Sequence, residues 1–175
     1  MFNETMDRKK ILEPFQLFTQ QECRDIIQDC LSTKESAGTT RAGRLEDVRN
    51  NYVWWKNYHY DRLWNIMTNI EGYNITWMEK FQISRYRLNE FYDWHTDGNN
   101  NSNRSSVRLL TLTCTLKSAP GAVFETRNKI YNLPPGHAVI FTHDTEHRAT
   151  APTKGERWSF TVWGMTPNTK QQTET

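Results

Sequence analysis

No run of apolar residues in this sequence approaches the about 18 that a membrane-spanning helix needs, which excludes the ordinary helical membrane protein. The opening residues, MFNETMDRKK, hold no apolar segment of the signal-peptide kind, so a cytoplasmic chain with no membrane partner is expected. An excess of one charge is also lacking: 22 basic residues face 20 acidic ones, a formal net charge of +2. That balance gives no phosphate-tracking surface, and no nucleic-acid partner is expected. Cysteines are few. Cys23, Cys30 and Cys114 cannot all pair within one chain, and the expectation is three buried thiols in a reducing compartment. Asn3, Asn74 and Asn103 fall in N-x-S/T sequons, which in a chain without an export signal read as chance matches.

What the chain has instead is rings. Only 36% of its residues are hydrophobic, yet seven Trp, seven Tyr and eight Phe bring the aromatic share to 13%. Each buried ring removes roughly 150–250 Å² from water, so aromatics would supply much of the core. The 175 residues suit one domain, 1–175. Thr19-Gln-Gln-Glu22 has capping-box spacing, and Cys23, Ile26, Ile27, Cys30 and Leu31 follow at helical intervals, predicting a helix over about 19–32. A second helical pattern covers about 58–71, with Tyr60, Leu63, Trp64, Met67 and Ile70 on one side. Residues 34–51 between them are polar, contain glycine and are too long for a plain connector, as in a functional lid.

From Trp77 the pattern changes to short strands, expected at about 77–87, 91–96, 107–116, 121–125, 129–132, 137–142, 146–149 and 156–164. Leu110, Leu112, Cys114 and Leu116 alternate with Thr111, Thr113 and Thr115, and Pro and Gly punctuate the runs. The reading is mainly β with flanking helices. A double-stranded β-helix (jelly roll) core over 76–165 follows a helical part over 1–75, and a disordered tail fills 166–175.

Residues i and i+2 of a strand point the same way, so His95 and Asp97 can share one ion while Thr96 faces away. A third ligand has to come from elsewhere, and His147 opens another short strand. Two imidazoles and one carboxylate on one face of an octahedron leave three positions open, the facial triad of non-haem iron(II) oxygenases. His143 competes for the distal place. The ten residues from His147 to Arg157 leave room for one turn, 152–155, and an antiparallel return that brings Arg157 beside the ligand strand. His137 and His59 read as surface histidines. Arg157, Ser159, Thr161 and Trp163 share one face of an alternating strand, and Trp158, Phe160 and Val162 the other. The first set suits a lumen holding a dicarboxylate, where a planar guanidinium binds in bidentate fashion.

The stretches YRLNEFYDWHTD (86–97), GHAVIF (136–141) and HRATAPTKGERWSFTVW (147–163) resemble the Fe(II)/2-oxoglutarate dioxygenases of the prolyl 4-hydroxylase superfamily, small bacterial and phage members above all. The similarity extends over about 36–164, and 47–55 is similar to the family's arginine-led strand after its mobile substrate loop. The resemblance implies Fe(II) and 2-oxoglutarate, with ascorbate as reductant, and a cytoplasmic enzyme (host cytoplasm for a phage protein). By it His95, Asp97 and His147 would hold the iron, and Arg157 the C5 carboxylate of 2-oxoglutarate. Tyr86, Thr115 and Thr161 would line the co-substrate pocket, and Arg108 and Trp163 would meet substrate near its mouth. Two departures stand out. Arg87-Leu88-Asn89-Glu90 replaces a Pro-Gly or Gly-Gly, and Ala119-Pro120-Gly121-Ala122 replaces a Gly-Gly-Glu.

The implied reaction is hydroxylation of a prolyl residue at C4 in a peptide or protein, giving succinate and CO2. Trp54, Trp55, Trp94, Tyr58 and Tyr60 would offer apolar surface to proline. The alternatives are an oxygenase acting on a non-prolyl or small-molecule substrate, a nucleic-acid demethylase and a non-catalytic jelly-roll binding protein. The demethylase would carry a second arginine where Trp163 stands, and the binding protein would need neither Arg157 nor open metal positions.

Overall fold

The computed structural model describes residues 11–40, 45–98 and 105–168. Its elements are, in order, β1 (Phe15–Gln16), α1 (Gln20–Leu31), β2 (Ser36–Ala37), β3 (Tyr52–Trp55), α2 (Tyr60–Thr68), β4 (Trp77–Met78), β5 (Gln82–Tyr86), β6 (Tyr92–His95), β7 (Ser106–Lys117), β8 (Phe124–Thr126), β9 (Lys129–Tyr131), β10 (His137–Thr142), β11 (His147–Ala149) and β12 (Arg157–Pro167). The strands form an eight-stranded sheet, β1-β10-β7-β12-β5-β3-β2 with β4 also on β12, and a four-stranded sheet, β6-β11-β8-β9. Together they make the double-stranded β-helix that the alternation predicted. Among the described residues no helix is long and apolar enough to cross a membrane.

Helix α1 starts where its capping box places it: the Thr19 hydroxyl accepts from the Glu22 N–H, and the Glu22 carboxylate accepts from the Thr19 N–H. Its apolar stripe, Cys23, Ile26 and Cys30, lies with Leu63, Ile66 and Met67 of α2 against the large sheet. Leu110, Leu112 and Cys114 of β7 and Trp158, Phe160 and Val162 of β12 supply the facing layer, all exposed by 1% or less. At about 1.5–3 kcal/mol for each large side chain buried, this layer is the main source of stability. Trp54 stacks on Trp158 with centroids 4.9 Å apart. Phe124, Tyr131, Leu133, Val139 and Phe141 form a second, smaller apolar cluster. All three cysteines are free and buried, as expected.

The structure departs from the sequence reading where an element is too short to show a period. The part expected to be helical contributes β1, β2 and β3 to the large sheet. The single strand expected over 77–87 is broken: the Phe81 N–H donates to Asn57 Oδ1 at 3.0 Å, and β4 and β5 pair separate stretches of β12. The strand expected at 121–125 starts later, at Phe124, because Gly121 sits in a turn with φ +80°. β12 runs past 165, with Thr166 opposite Val107 and Pro167 opposite Ser106, and the rest of the expected tail, 169–175, lies outside the described residues. After His147 the chain does not return beside the ligand strand. β11 pairs with β6 and β8 in the small sheet, whereas β12 pairs with β4, β5 and β7 in the large one. Arg157 thus reaches the lumen from the opposite wall.

The Arg87–Glu90 departure is also explained. Asn89 takes φ +64°, a left-handed conformation that asparagine tolerates. Within 34–51, Arg49 ties both ends to the sheet: its guanidinium donates to the Thr39 carbonyl at 2.9 Å, to Asn51 Oδ1 at 2.7 Å and to Gln82 Oε1 at 3.0 Å. Residues 41–44 lie outside the described residues.

Candidate functional site

β6 and β11 are neighbours in the small sheet, with His95 opposite His147 in register. Asp97 follows two residues after the end of β6. Its N–H and that of Gly98 both donate to the His143 carbonyl, at 3.2 and 3.0 Å. His143 therefore contributes its backbone, not its ring. A Cβ on Gly98 would stand 2.6 Å from His143 Nδ1, which is why the chain has glycine there.

The donor atoms of His95, Asp97 and His147 lie within 4.8 Å of one another. Asp97 Oδ1 is 3.5 Å from His95 Nε2 and 3.4 Å from His147 Nε2. Each imidazole is oriented from behind by a carbonyl two residues earlier: His95 Nδ1 lies 2.6 Å from the Asp93 oxygen and His147 Nδ1 2.9 Å from that of Thr145. Those contacts place the proton on Nδ1 and leave the Nε2 lone pairs facing the common centre. Asp97 Oδ2 is taken by the Thr111 hydroxyl at 2.8 Å and the Trp163 indole N–H at 3.2 Å, so Oδ1 is the free oxygen. One N, one N and one O, aimed at a single point and supported by outer hydrogen bonds, fit iron(II).

The electrostatics agree. Burial by itself would raise the Asp97 carboxyl, but His147 and His95 hold it well below the usual range. Burial opposes the charge on His147, and Asp97 overcomes it and raises that imidazole. His95 is pushed down, chiefly by burial. Rings wall the centre from water. The Tyr92 ring stacks on His95 at 3.4 Å with Arg49 4.4 Å above it, and Phe141 packs 4.6 Å from His147.

The triad opens into a cavity inside the jelly roll. Its far wall is the expected face of β12, Arg157, Ser159, Thr161 and Trp163, with Tyr86 on β5. Arg157 is 4% exposed, and its guanidinium, 5.7 Å from the Tyr86 ring, has no hydrogen bond or ion pair to any described residue. Burial pulls its pKa down. Thr115 is the exception among the expected pocket residues. It lines a second cavity that shares Arg157 and Phe124 with the first, and Thr113, one strand repeat nearer Thr111, lines the cavity of the triad. Arg108 and Trp163 stand at the mouth, the guanidinium 3.8 Å over the indole and bonded to both Glu79 oxygens at 2.8 and 3.0 Å.

Of the aromatics expected to face proline, only Trp55, 38% exposed, borders the mouth, 6.1 Å from Trp163. Trp54 is core. Tyr58 bonds to Asp29 on the helical side, and Tyr60, also on that side, stacks on Phe81. Trp94 lies under Arg127 and Arg148 on the small sheet. His59 caps α2 with φ +53°, and His137 leaves a buried Nδ1 without a partner. Sequence reasoning missed Thr111, Arg49, Tyr92, Gln82 and Ser84. The shared parity of Gln82, Ser84 and Tyr86 was a signal for two of them.

A jelly roll with a His-Asp-His centre and a buried arginine deeper in the lumen defines a class of metal-dependent oxygenase folds. Residues 81–165 match the model of the 2OG-Fe(II) oxygenase superfamily, and the His-Asp-His centre within them fits iron(II) with 2-oxoglutarate as co-substrate. The fold is similar to that of the viral collagen prolyl hydroxylase of Paramecium bursaria Chlorella virus-1 in its 2-oxoglutarate complex, with TM-score 0.71 and 17% identity over 87% of this chain and 94% of that one. It is similar to a Trichoplax adhaerens prolyl hydroxylase in complex with a hypoxia-inducible-factor peptide, with TM-score 0.68 and 16% identity over 93% and 86% of the two chains. The α-ketoglutarate-dependent carbocyclase SnoK of nogalamycin biosynthesis also shares it, with TM-score 0.64 and 13% identity over 87% and 78%. At such identities the likeness is one of fold. No curated protein sequence matches the chain.

Proposed function

We propose that this protein hydroxylates a prolyl residue at C4 within a peptide or protein, consuming 2-oxoglutarate and O2 and releasing succinate and CO2. In this reading the chain works as one cytoplasmic oxygenase domain, 1–175. His95 Nε2, Asp97 Oδ1 and His147 Nε2 hold iron(II), and Arg157 takes the distal carboxylate of 2-oxoglutarate. The observation that carries it is Arg157, a buried guanidinium without a carboxylate partner among the described residues, opening into the cavity of the triad. An unpaired buried cation is costly, and the far end of a dicarboxylate relieves that cost.

Bound iron with its co-substrate supplies the oxidant that replaces a substrate hydrogen by hydroxyl. The residues of this chain set the stage. The Asp93 and Thr145 carbonyls keep the ligand nitrogens unprotonated toward the centre, and Thr111 and Trp163 fix the carboxylate. Phe124 and Phe141 exclude water beside His147. Tyr86 and Thr161 flank the co-substrate, and Arg108, Trp163 and Trp55 receive the substrate. A prolyl ring suits the indole surfaces of Trp55 and Trp163. Peptide-acting prolyl hydroxylases among the similar folds support the same choice.

The test is succinate release with Fe(II), 2-oxoglutarate and ascorbate, alone and with proline-rich peptides, read with mass spectrometry. Wild type gives succinate and a peptide heavier by one oxygen at proline. His147→Ala abolishes both. Arg157→Lys raises the KM for 2-oxoglutarate at least about tenfold, because a point charge does not reproduce the fork. Succinate without any peptide product moves the assignment to a small-molecule substrate, and equal turnover by His147→Ala rejects the ligand set.

A further inference from the structure

Arg157 stands between two cavities. One holds the triad; the other shares Arg157 and Phe124 with it and is lined further by Thr115, Ser118, Ala122, Asn132 and Leu133 among others. No acidic residue lines it, so Arg157 is its one formal charge.

We infer that the 2-oxo-acid site is deeper than 2-oxoglutarate requires and admits 2-oxo diacids one or two methylenes longer, their distal carboxylate held by Arg157 turned toward the second cavity. This rests on the co-substrate reading above. Three observations carry it. The guanidinium has no hydrogen bond or ion pair to any described residue; the Tyr86 ring at 5.7 Å is its contact on the triad side, and no hydrogen bond has to break for it to turn. The residue at its flank on β7 is the small Thr115, which lines only the outer cavity. The segment Ala119–Ala122, which contributes Ala119, Gly121 and Ala122 to the lining, is held in place by hydrogen bonds. Gly121 at φ +80° faces Thr153, whose N–H donates to the Pro120 carbonyl at 2.8 Å, and the Thr150 hydroxyl donates to the Gly121 carbonyl at 2.8 Å. A segment held this way does not collapse to fill the space.

If the lumen ended at Arg157, an added methylene would be rejected by about 10–200-fold or more. An open end removes that discrimination.

The test titrates 2-oxoglutarate, 2-oxoadipate and 2-oxopimelate into the Mn(II)-loaded full chain, reading Kd from thermal shift and tryptophan fluorescence without turnover. Wild type binds 2-oxoadipate within about tenfold of 2-oxoglutarate. Ala122→Leu and Ala119→Leu, which fill the outer cavity alone, weaken the longer acids by about tenfold or more and leave 2-oxoglutarate within about twofold. Two variants guard against one that misfolds, and unchanged 2-oxoglutarate binding verifies each. Binding of 2-oxoglutarate with rejection of 2-oxoadipate by more than about 100-fold overturns the inference and leaves the co-substrate reading intact. Equal losses of all three acids in the variants also overturn it. Failure of every 2-oxo acid to bind overturns both.

Discussion

Replacing Thr111 by valine removes the shorter of the two hydrogen bonds that hold the Asp97 carboxylate, the 2.8 Å contact from the hydroxyl to Oδ2. Thr111 is 1% exposed and valine has nearly its shape, so packing changes little and the effect isolates the hydroxyl. The Trp163 indole remains at 3.2 Å, which keeps the carboxylate in the site while freeing it to rotate. A hydrogen bond to a charged group contributes about 1.5–3 kcal/mol. Spent on orienting Oδ1, that is a loss of about 10–100-fold in metal affinity, the usual scale for a residue behind a ligand. In the metal-free protein part of the cost appears as lower stability, since Asp97 stays buried and charged beside His147. The assay is a titration of Mn(II) followed by tryptophan fluorescence on wild type, Thr111→Val and Thr111→Ser. Serine keeps the hydroxyl and should bind within a few-fold of wild type. A valine variant with wild-type affinity and an unchanged Tm would refute the argument that Thr111 aims the carboxylate.

Other outcomes test the frame around the site. Glu22 is lowered to about 2, first by its hydrogen bonds from Arg62, with burial opposing and the Thr19 N–H assisting. A depressed carboxyl stabilises the fold above its unfolded pKa of about 4.5 and loses that contribution as the pH falls toward about 2. Because the pair is partly solvated, Glu22→Gln should cost only about 1 kcal/mol at neutral pH and flatten the stability profile over that acid window, measured by urea unfolding at several pH values. Gly136→Ala, at φ +88° with a new Cβ 2.2 Å from the Phe18 carbonyl, should lower stability by about 2–4 kcal/mol and Tm with it, by calorimetry. Phe160→Ala, fully buried between the large sheet and the helices, should cost about 3–5 kcal/mol by the same measurement.

Much of the site could be read before any coordinates, for reasons that lie in short-range geometry. The capping box set the start of α1 because both of its hydrogen bonds are made within four residues. The parity of 157–163 sorted lumen from core because a strand repeats every two residues whatever it pairs with. His95 and Asp97 were legible on the same rule. What failed was reasoning that needed a partner. The two-residue strands β1, β2 and β4 exist only because the large sheet offers them an edge, so no local pattern announces them. Arg49 and Thr111 look ordinary in sequence. One becomes a tie among Thr39, Asn51 and Gln82, and the other a donor to Asp97, only after the sheets close.

The sequence by itself determined the ring-rich core, the two-faced strands and the three residues able to ligate a metal, since composition and period are properties of the chain alone. Only the tertiary structure decided that Arg157 reaches the lumen from the opposite sheet and that Thr115 lines a second cavity and not that of the triad. These depend on which strands become neighbours, and strand pairing is settled by the burial of whole faces across long separations in sequence.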